Sequence, residues 1–409
     1  MIKPAPRDDQ QLSAGAVWRR ERDRYRIWNE LRNQPELTFH WETGYEAFAA
    51  GPGYWSAVTY DDVRFISRHP ERFCSGKGSN IPDLPIEIAE FYGSMINMDS
   101  PRHTRLRLIV NRSFTTRQVA KIDADVEDRA AAIARRACEL GEFDFVAEVA
   151  ARLPLQIICE MMGIPPSQWD LVFHHTNVIL GVGDPEYVSS FDDVFRVSLE
   201  LAAIAEELAN DRLANPRDDL TTSLMHAEVD GERLTTSELA SFFILLVVAG
   251  GETTRNAITH AMWQLTVDEG QRRLWAERYD DVNASAVEET VRFATPVIHF
   301  RRTATQDTYL RDQLIQAGDK VVMWLASANR DPAAFNDPDR FDIQRDPNEH
   351  VGFGAGGPHF CLGANLARRE ISAMMREVLR IPGLEVTGEP RYLESQFING
   401  IKALPCRVR

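Results

Sequence analysis

A mainly α-helical fold carrying small β-sheets is what this sequence predicts, and three observations predict it. From about residue 115 to 210, charged faces oppose stripes of Ala, Leu and Ile at helical spacing. A second helical pattern continues from 235 to about 267. Aromatic and β-branched runs are short, at 37–41 and 54–60, so the sheet content is minor: one sheet near the N-terminus and another near the end.

The chain has 409 residues, and 46 Lys and Arg against 61 Asp and Glu leave a formal charge of −15. A hydrophobic share of 44% is ordinary for a folded protein and excludes a disordered one. The acidic balance excludes a broad phosphate-backbone binder and a surface held on anionic lipid. The longest purely apolar run, 242–249, has eight residues, where a spanning helix needs about 20, so no membrane span is expected. The opening Met-Ile-Lys-Pro-Ala-Pro-Arg has no apolar export core. Cys74, Cys138, Cys159, Cys361 and Cys406 are odd in number and far apart, which fits reduced thiols and a cytoplasmic enzyme. About 150 residues per domain would predict two or three domains, yet no linker, fixed-period repeat or low-complexity tract divides the chain.

In chain order, 37–41 and 54–60 form a small sheet around Gly51-Pro52-Gly53, and Asp61 or Asp62 then caps a helix. The stretch 115–210 is helical, and residues 216–219 and 229–232 are loops or a hairpin. Thr235-Thr236-Ser237-Glu238 has capping-box spacing and starts a rod of roughly 45 Å. Its first half, through Phe242, Leu245 and Val248, is apolar on all sides and so is expected to be buried. Ala249-Gly250-Gly251-Glu252-Thr253-Thr254 interrupts it. Each mid-helix glycine costs about 1 kcal/mol relative to Ala, and an acid beside two threonines in a buried rod is worse for stability. Two readings stand. One is a kink with a polar edge surfacing at Arg255. The other is an opening that seats a small molecule beside Glu252 and Thr253, with Thr253 bonded back to the Ala249 carbonyl or releasing it to water.

The loop 351–363 contains four glycines between 352 and 357, then His359, Cys361 and Gly363. Such density implies unusual backbone angles or close approach to something flat. A helix follows, with apolar positions Ala364, Ala367, Ile371, Met374 and Val378. A cysteine just before a helix N-terminus sits in a potential that favours thiolate. Three readings compete here: a dinucleotide-binding loop, a packed inert cysteine, and an axial thiolate on haem iron.

The loop resembles the haem-binding signature of the cytochrome P-450 superfamily, and three further motifs follow that family's order. Ala249 to Thr254 is similar to its oxygen-activation motif. Glu289-Thr290-Val291-Arg292 matches its Glu-x-x-Arg helix, a structural ion pair, and Phe335-Asn336-Asp337-Pro338-Asp339-Arg340-Phe341 resembles its meander. The resemblance covers nearly the whole chain and implies a single domain, 1–409, with haem b between the long central helix and the cysteine-loop helix. It implies Cys361 as iron ligand, and His103, Arg107, Arg302 (or Arg301) and His359 as propionate partners. Phe353, Gly363 and Ala249 are then further cofactor contacts. Phe353 stands eight residues before Cys361 where the common signature has seven. That longer form resembles the bacterial branch that hydroxylates methyl-branched lipids, cholest-4-en-3-one and related sterol side chains.

The implied activity is a haem-thiolate monooxygenase, with Glu252 and Thr253 managing protons and O2 as co-substrate. An apolar pocket for a lipid, sterol or terpenoid is expected from Leu245, Val248, Val297, Ile298, Phe397 and Ile398. Electrons are expected from a separate ferredoxin and ferredoxin reductase fed by NAD(P)H. Four arginines between Arg102 and Arg112, with Arg368 and Arg369, offer a basic face to an acidic iron–sulfur partner. A peroxygenase would generally replace the Glu252–Thr253 pair, and a gas-sensing haem protein would not need the apolar pocket. His174 and His175 match nothing and are read as surface or satisfied structure.

Overall fold

Thr235 and Glu238 form a full capping box, each side chain taking the other residue's backbone N–H, and start a 32-residue helix, Thr236–Val267. The computed structural model describes residue 12 and residues 21–42, 50–113, 116–188, 190–229 and 231–409. The central helix is long and apolar enough to cross a membrane, with a mean hydropathy of 1.3 in its most apolar window. Other helices surround it instead: Phe191–Ala214, Arg152–Met162, Tyr279–Ala294, Trp169–Leu180 and Ala364–Val378 all pack on it. Its apolar residues join the main core with Phe145, Val149, Ile157, Leu201, Val287 and Met374.

The helical stretch expected at 115–210 resolves into Thr116–Leu140, Arg152–Met162, Trp169–Leu180 and Phe191–Ala214. It also hides a strand, Glu142–Asp144, which pairs with Pro405–Val408 some 260 residues later. Nothing local in Glu-Phe-Asp announces that pairing. The N-terminal sheet is likewise built from distant pieces. Its five strands lie in the order Thr38–His40, Tyr54–Ala57, Lys320–Trp324, His299–Ala304 and Phe73–Cys74. The helix after Tyr54–Ala57 is capped by Thr59, whose hydroxyl accepts from the Asp62 N–H; Asp61 and Asp62 fall inside its first turn. A short β-extended hydroxyl residue satisfies the N-cap, leaving the two acids to meet the positive end of the helix dipole.

The central helix buries Phe242, Phe243, Ile244 and Val247 as expected, yet leaves part of its apolar half uncovered. It stays helical through Gly250 and Gly251 without a break, and its polar half is the more deeply covered. Glu252, Thr254, Arg255, Asn256, Thr259 and His260 are buried, whereas Leu245, Leu246 and Val248 are half-buried and Ala249 is exposed. Arg255 therefore does not surface, and the kink reading is displaced. The uncovered positions Leu245, Ala249 and Thr253 step by four, so one stripe of an interior helix faces open space.

Candidate active site

Two glycine-containing segments shape this region. The helix Tyr60–Arg68 straps the cysteine loop from outside: Ser67 Oγ donates to the Gly356 carbonyl (2.6 Å) and Arg68 Nε to the Ala355 carbonyl (3.2 Å). At Gly357 (φ +87°) a Cβ would stand 2.2 Å from the Ser67 carbonyl oxygen, so only glycine fits. The Cys361 N–H donates to the Phe353 carbonyl at 2.9 Å, closing the loop on itself. The Arg368 guanidinium lies 4.4 Å from the Phe353 ring centre and is held by Glu288 (2.5 Å). Gly363 is different, since a Cβ there would meet nothing within 4 Å, and the same holds for Gly251 on the central helix.

Cys361 is exposed toward this open space. Burial among its protein neighbours nevertheless pushes its thiol above the ordinary range, opposed by the Gly363 N–H, Arg107 and Arg368. The helix beginning at Ala364 and these two arginines therefore do not by themselves outweigh desolvation.

The four residues expected to bind carboxylates do come together. His103 and His359 rings lie 4.2 Å apart, Arg107 donates to the Phe360 carbonyl (2.6 Å), and Ser75 Oγ meets His359 Nε2 at 3.0 Å. Arg302 is 5% exposed, and among the described residues its side chain hydrogen-bonds only the carbonyl of its neighbour Arg301, at 2.8 Å. Burial lowers Arg302 to about 10, against the pull of Asp99 and Cys74. Burial, then the charges of Arg302, His103 and Arg107, drives His359 down to about 2. His103 is lowered by burial and by Arg107, and its Nε2 is buried with no hydrogen-bond partner among the described residues. Arg301 is differently placed: its two terminal nitrogens donate to Asp83 (2.7 Å) and to the carbonyls of Asn80, Ile81 and Lys77. A cluster of cationic and donor groups short of anions is chemically fitted to a ligand bearing carboxylates. No group of three His, Cys, Asp or Glu among the described residues could hold a bare metal. One thiol beside open space and an anion-deficient cluster suits an iron that brings its own macrocycle.

On the central helix, Thr253 Oγ1 bonds back to the Ala249 carbonyl at 2.7 Å. Glu252 is 3% exposed and pairs with Arg255, one turn on. Its carboxyl is raised by burial, with Arg255 pulling the other way. Thr254 bonds Glu370 on the helix after Cys361, and burial lifts that fully covered carboxyl to about 8. In the sequence Arg255 reads only as a polar edge, and neither Asn177 nor Glu370 is singled out. The spacing Glu252-x-x-Arg255 was the available signal for the first.

Of the expected substrate contacts, Leu245, Val248, Val297 and Phe397 retain accessible surface. Ile298 (0% exposed) packs with Tyr54, Val322 and Trp324, and Ile398 (2%) is bridged to Val297, so both belong to the core. Glu289 and Arg292 are wholly buried and paired in two contacts, 2.7 and 2.8 Å. His175 is buried: its Nε2 meets Glu200 at 2.7 Å, while its Nδ1 has no hydrogen-bond partner among the described residues, so it is satisfied on one side only. The basic face is largely neutralised, because acids distant in sequence fold onto it. Arg102 pairs with Glu90, Arg105 with Glu232 and Glu238, Arg368 with Glu288 and Arg369 with Glu127.

The sequence profile of the family described as Cytochrome P450 matches residues 282–393. The chain is 52% identical over 379 residues to the methyl-branched lipid omega-hydroxylase of Mycobacterium tuberculosis, covering 92% of this chain and 89% of that one. It is 40% identical over 356 residues to the steroid C26-monooxygenase of Mycolicibacterium smegmatis, covering 86% and 82%. Among solved structures, a Mycobacterium marinum cytochrome P450 in complex with pseudoionone superposes with a TM-score of 0.94 at 39% identity, over 99% of this chain and 100% of that one.

Proposed function

The chain belongs to the cytochrome P450 family, and from this we propose that residues 1–409 form one cytoplasmic haem-thiolate monooxygenase domain in which Cys361 holds the iron of haem b. The single observation that carries the assignment is the open space beside Cys361 and Gly363, flanked by an anion-deficient cluster of Arg107, Arg302, His103 and His359. When bound there, haem supplies the oxidation RH + O2 + 2 e⁻ + 2 H⁺ → ROH + H2O. Arg302, Arg107, His103 and His359 would hold its propionates, and Phe353, Gly363 and Ala249 would be further contacts. Thr253 holds a proton-bearing hydroxyl at the Ala249 carbonyl, and Glu252 resupplies that position with protons. The half-covered apolar residues Leu245, Val248, Val297 and Phe397 orient the substrate and exclude water.

The substrate is a methyl-branched lipid, sterol side chain or terpenoid, oxidised toward its omega end. The named activities of the two relatives and the ligand of the structural neighbour support this class. A separate ferredoxin, reduced by its own reductase from NAD(P)H, supplies the electrons. With most arginines neutralised, its support lies in exposed Leu108 (42%) and Phe360 (41%), joined across the Arg107–Phe360 contact. Spectral titration with branched fatty acids, sterols and terpenes, followed by mass analysis of turnover products, tests the reading. A low-to-high-spin shift with one class and a product one oxygen heavier are expected. No shift with any of them, or product formed equally well from peroxide without electrons, would overturn it.

A further inference from the structure

Residues 395–400 turn back between the strands Arg391–Tyr392 and Ile401–Ala403, leaving Phe397 half-covered and burying Ile398. The turn is knotted to the rest of the molecule through Asn399, which is 1% exposed. Its Oδ1 accepts from Arg24 on the helix Glu21–Arg32, and its Nδ2 donates to the Ala294 carbonyl (2.5 Å) where the helix Tyr279–Ala294 ends. Its N–H donates to the Pro296 carbonyl (2.8 Å), and its own carbonyl accepts from His260 Nε2 (3.1 Å) on the central helix. One turn earlier on that helix, Asn256 Oδ1 accepts the Ile401 N–H at 3.2 Å. Asn256 and His260 stand four residues apart, so one face of the central helix holds the backbone of this turn, which gives two of its buried polar side chains a task. Inside the turn, Ser395 Oγ accepts the N–H groups of Phe397 (3.2 Å) and Ile398 (3.1 Å). The Gln396 carbonyl accepts from His299 Nδ1 (3.0 Å), and the Phe397 carbonyl from the Ile298 N–H (2.8 Å). The Phe397 ring meets His299 and Phe300 edge-on, with ring centres 5.5 and 5.8 Å apart.

We infer that Asn399 is a positioning residue for the substrate: it fixes the wall formed by Phe397 and Phe300, and thereby which carbon is presented for oxidation. A chain held by apolar contacts has no polar group to set its register, so the shape of the wall sets it. A shift of about 1 Å in that wall is enough to change which carbon stands in place. Asn399 resists such a shift because the turn cannot move without stranding the Ala294 carbonyl and unpairing Arg24 and His260 from it in the interior. The inference rests on the monooxygenase reading above.

Asn399→Ala removes both side-chain ties, and Asn399→Asp keeps the acceptor for Arg24 while losing the donation to Ala294. Hydrogen exchange of the full-length chain reads the hold directly and does not depend on turnover. In Asn399→Ala, amides 397–401 are expected to exchange about tenfold faster than in the parent, with those of the helix Thr116–Leu140 unchanged. With isopalmitic acid, a fatty acid ending in an isopropyl group, the ratio of omega to in-chain alcohols should fall about fivefold in Asn399→Ala and less in Asn399→Asp. Total product should stay within about threefold of the parent, since the oxidising site is untouched. Phe397→Ala should shift the ratio likewise, and adding Asn399→Ala to it should shift it no further, because Asn399 acts through Phe397. An unchanged ratio in Asn399→Ala, or a full further shift in the double variant, would overturn the inference. Should Asn399→Ala not fold, Asn399→Asp decides it, and unchanged exchange and ratio there would overturn it. A parent that binds no haem would instead defeat the functional reading, while faster exchange in the variants would still support the hold on Phe397.

Discussion

Among the described residues, two Glu-x-x-Arg ion pairs are buried in the interior, and they live under opposite conditions. Glu289 and Arg292, and Glu252 and Arg255, are both i,i+3 pairs on helices, with side-chain exposures of 0% and 0% in one and 4% and 5% in the other. Around Glu289 every direction is filled: it accepts from the Asp342 N–H (2.8 Å), Arg345 (3.1 Å) and Asn348 (3.2 Å) besides Arg292. Arg292 in turn donates to the carbonyls of Asn329 (2.6 Å), Pro338 (2.9 Å) and Arg340 (3.1 Å). The pair staples the helix Tyr279–Ala294 to the segment leading toward the cysteine loop. Glu252 has Arg255, and Arg255 has Asn177 and an unpartnered Nε. A saturated pair holds a shape, whereas an unsaturated one beside open space is free to move a proton. Identical spacing says nothing about which is which; the company each pair keeps decides it.

Substitution should separate the two pairs. Glu289→Gln is expected to cost about 3–5 kcal/mol, because it strands Arg292 and Arg345 without their anion in the interior. Urea unfolding of the apoprotein measures this, and a loss under 1 kcal/mol would break the comparison. Glu252→Gln should cost less, about 1–2 kcal/mol, since one contact rather than several is disturbed. Product formation in that variant should fall more than tenfold; normal turnover would remove Glu252 from proton handling. Another buried acid, Glu370, sharpens the picture through pH. Its folded-state carboxyl is raised to about 8, above its unfolded value. The folded protein then holds a proton that the unfolded chain has released between roughly pH 5 and 8, so stability declines as pH rises through this window. The slope is at most about 1.4 kcal/mol per pH unit, and Glu370→Gln should remove it. An unaltered pH dependence in that variant would assign the slope elsewhere.

How far the sequence could be read follows the same division. The capping box at Thr235, the helix after Cys361 and the gathering of His103, Arg107, Arg302 and His359 were legible because local spacing or a family signature carries them. The sheet pairings of Tyr54–Ala57 with Lys320–Trp324 and of Glu142–Asp144 with Pro405–Val408 were not, since register between distant strands leaves little local trace. Arg255 looked like a surface residue because an arginine after two threonines normally marks a polar edge. It is buried where the central helix meets the Trp169–Leu180 helix, with Asn177 taking its Nη1. The arginines expected to form a basic face failed for a related reason, because charge counted along the chain omits acids that folding brings in.

The proposed ligation of haem iron by the Cys361 thiolate has its own spectroscopic signature. The reduced, carbon monoxide-treated spectrum of the parent protein and of Cys361→Ser tests it in one comparison. The strongly red-shifted Soret band characteristic of thiolate ligation should be present in the parent and absent from the variant. The same band in Cys361→Ser, or its absence from a haem-loaded parent, would contradict the assignment.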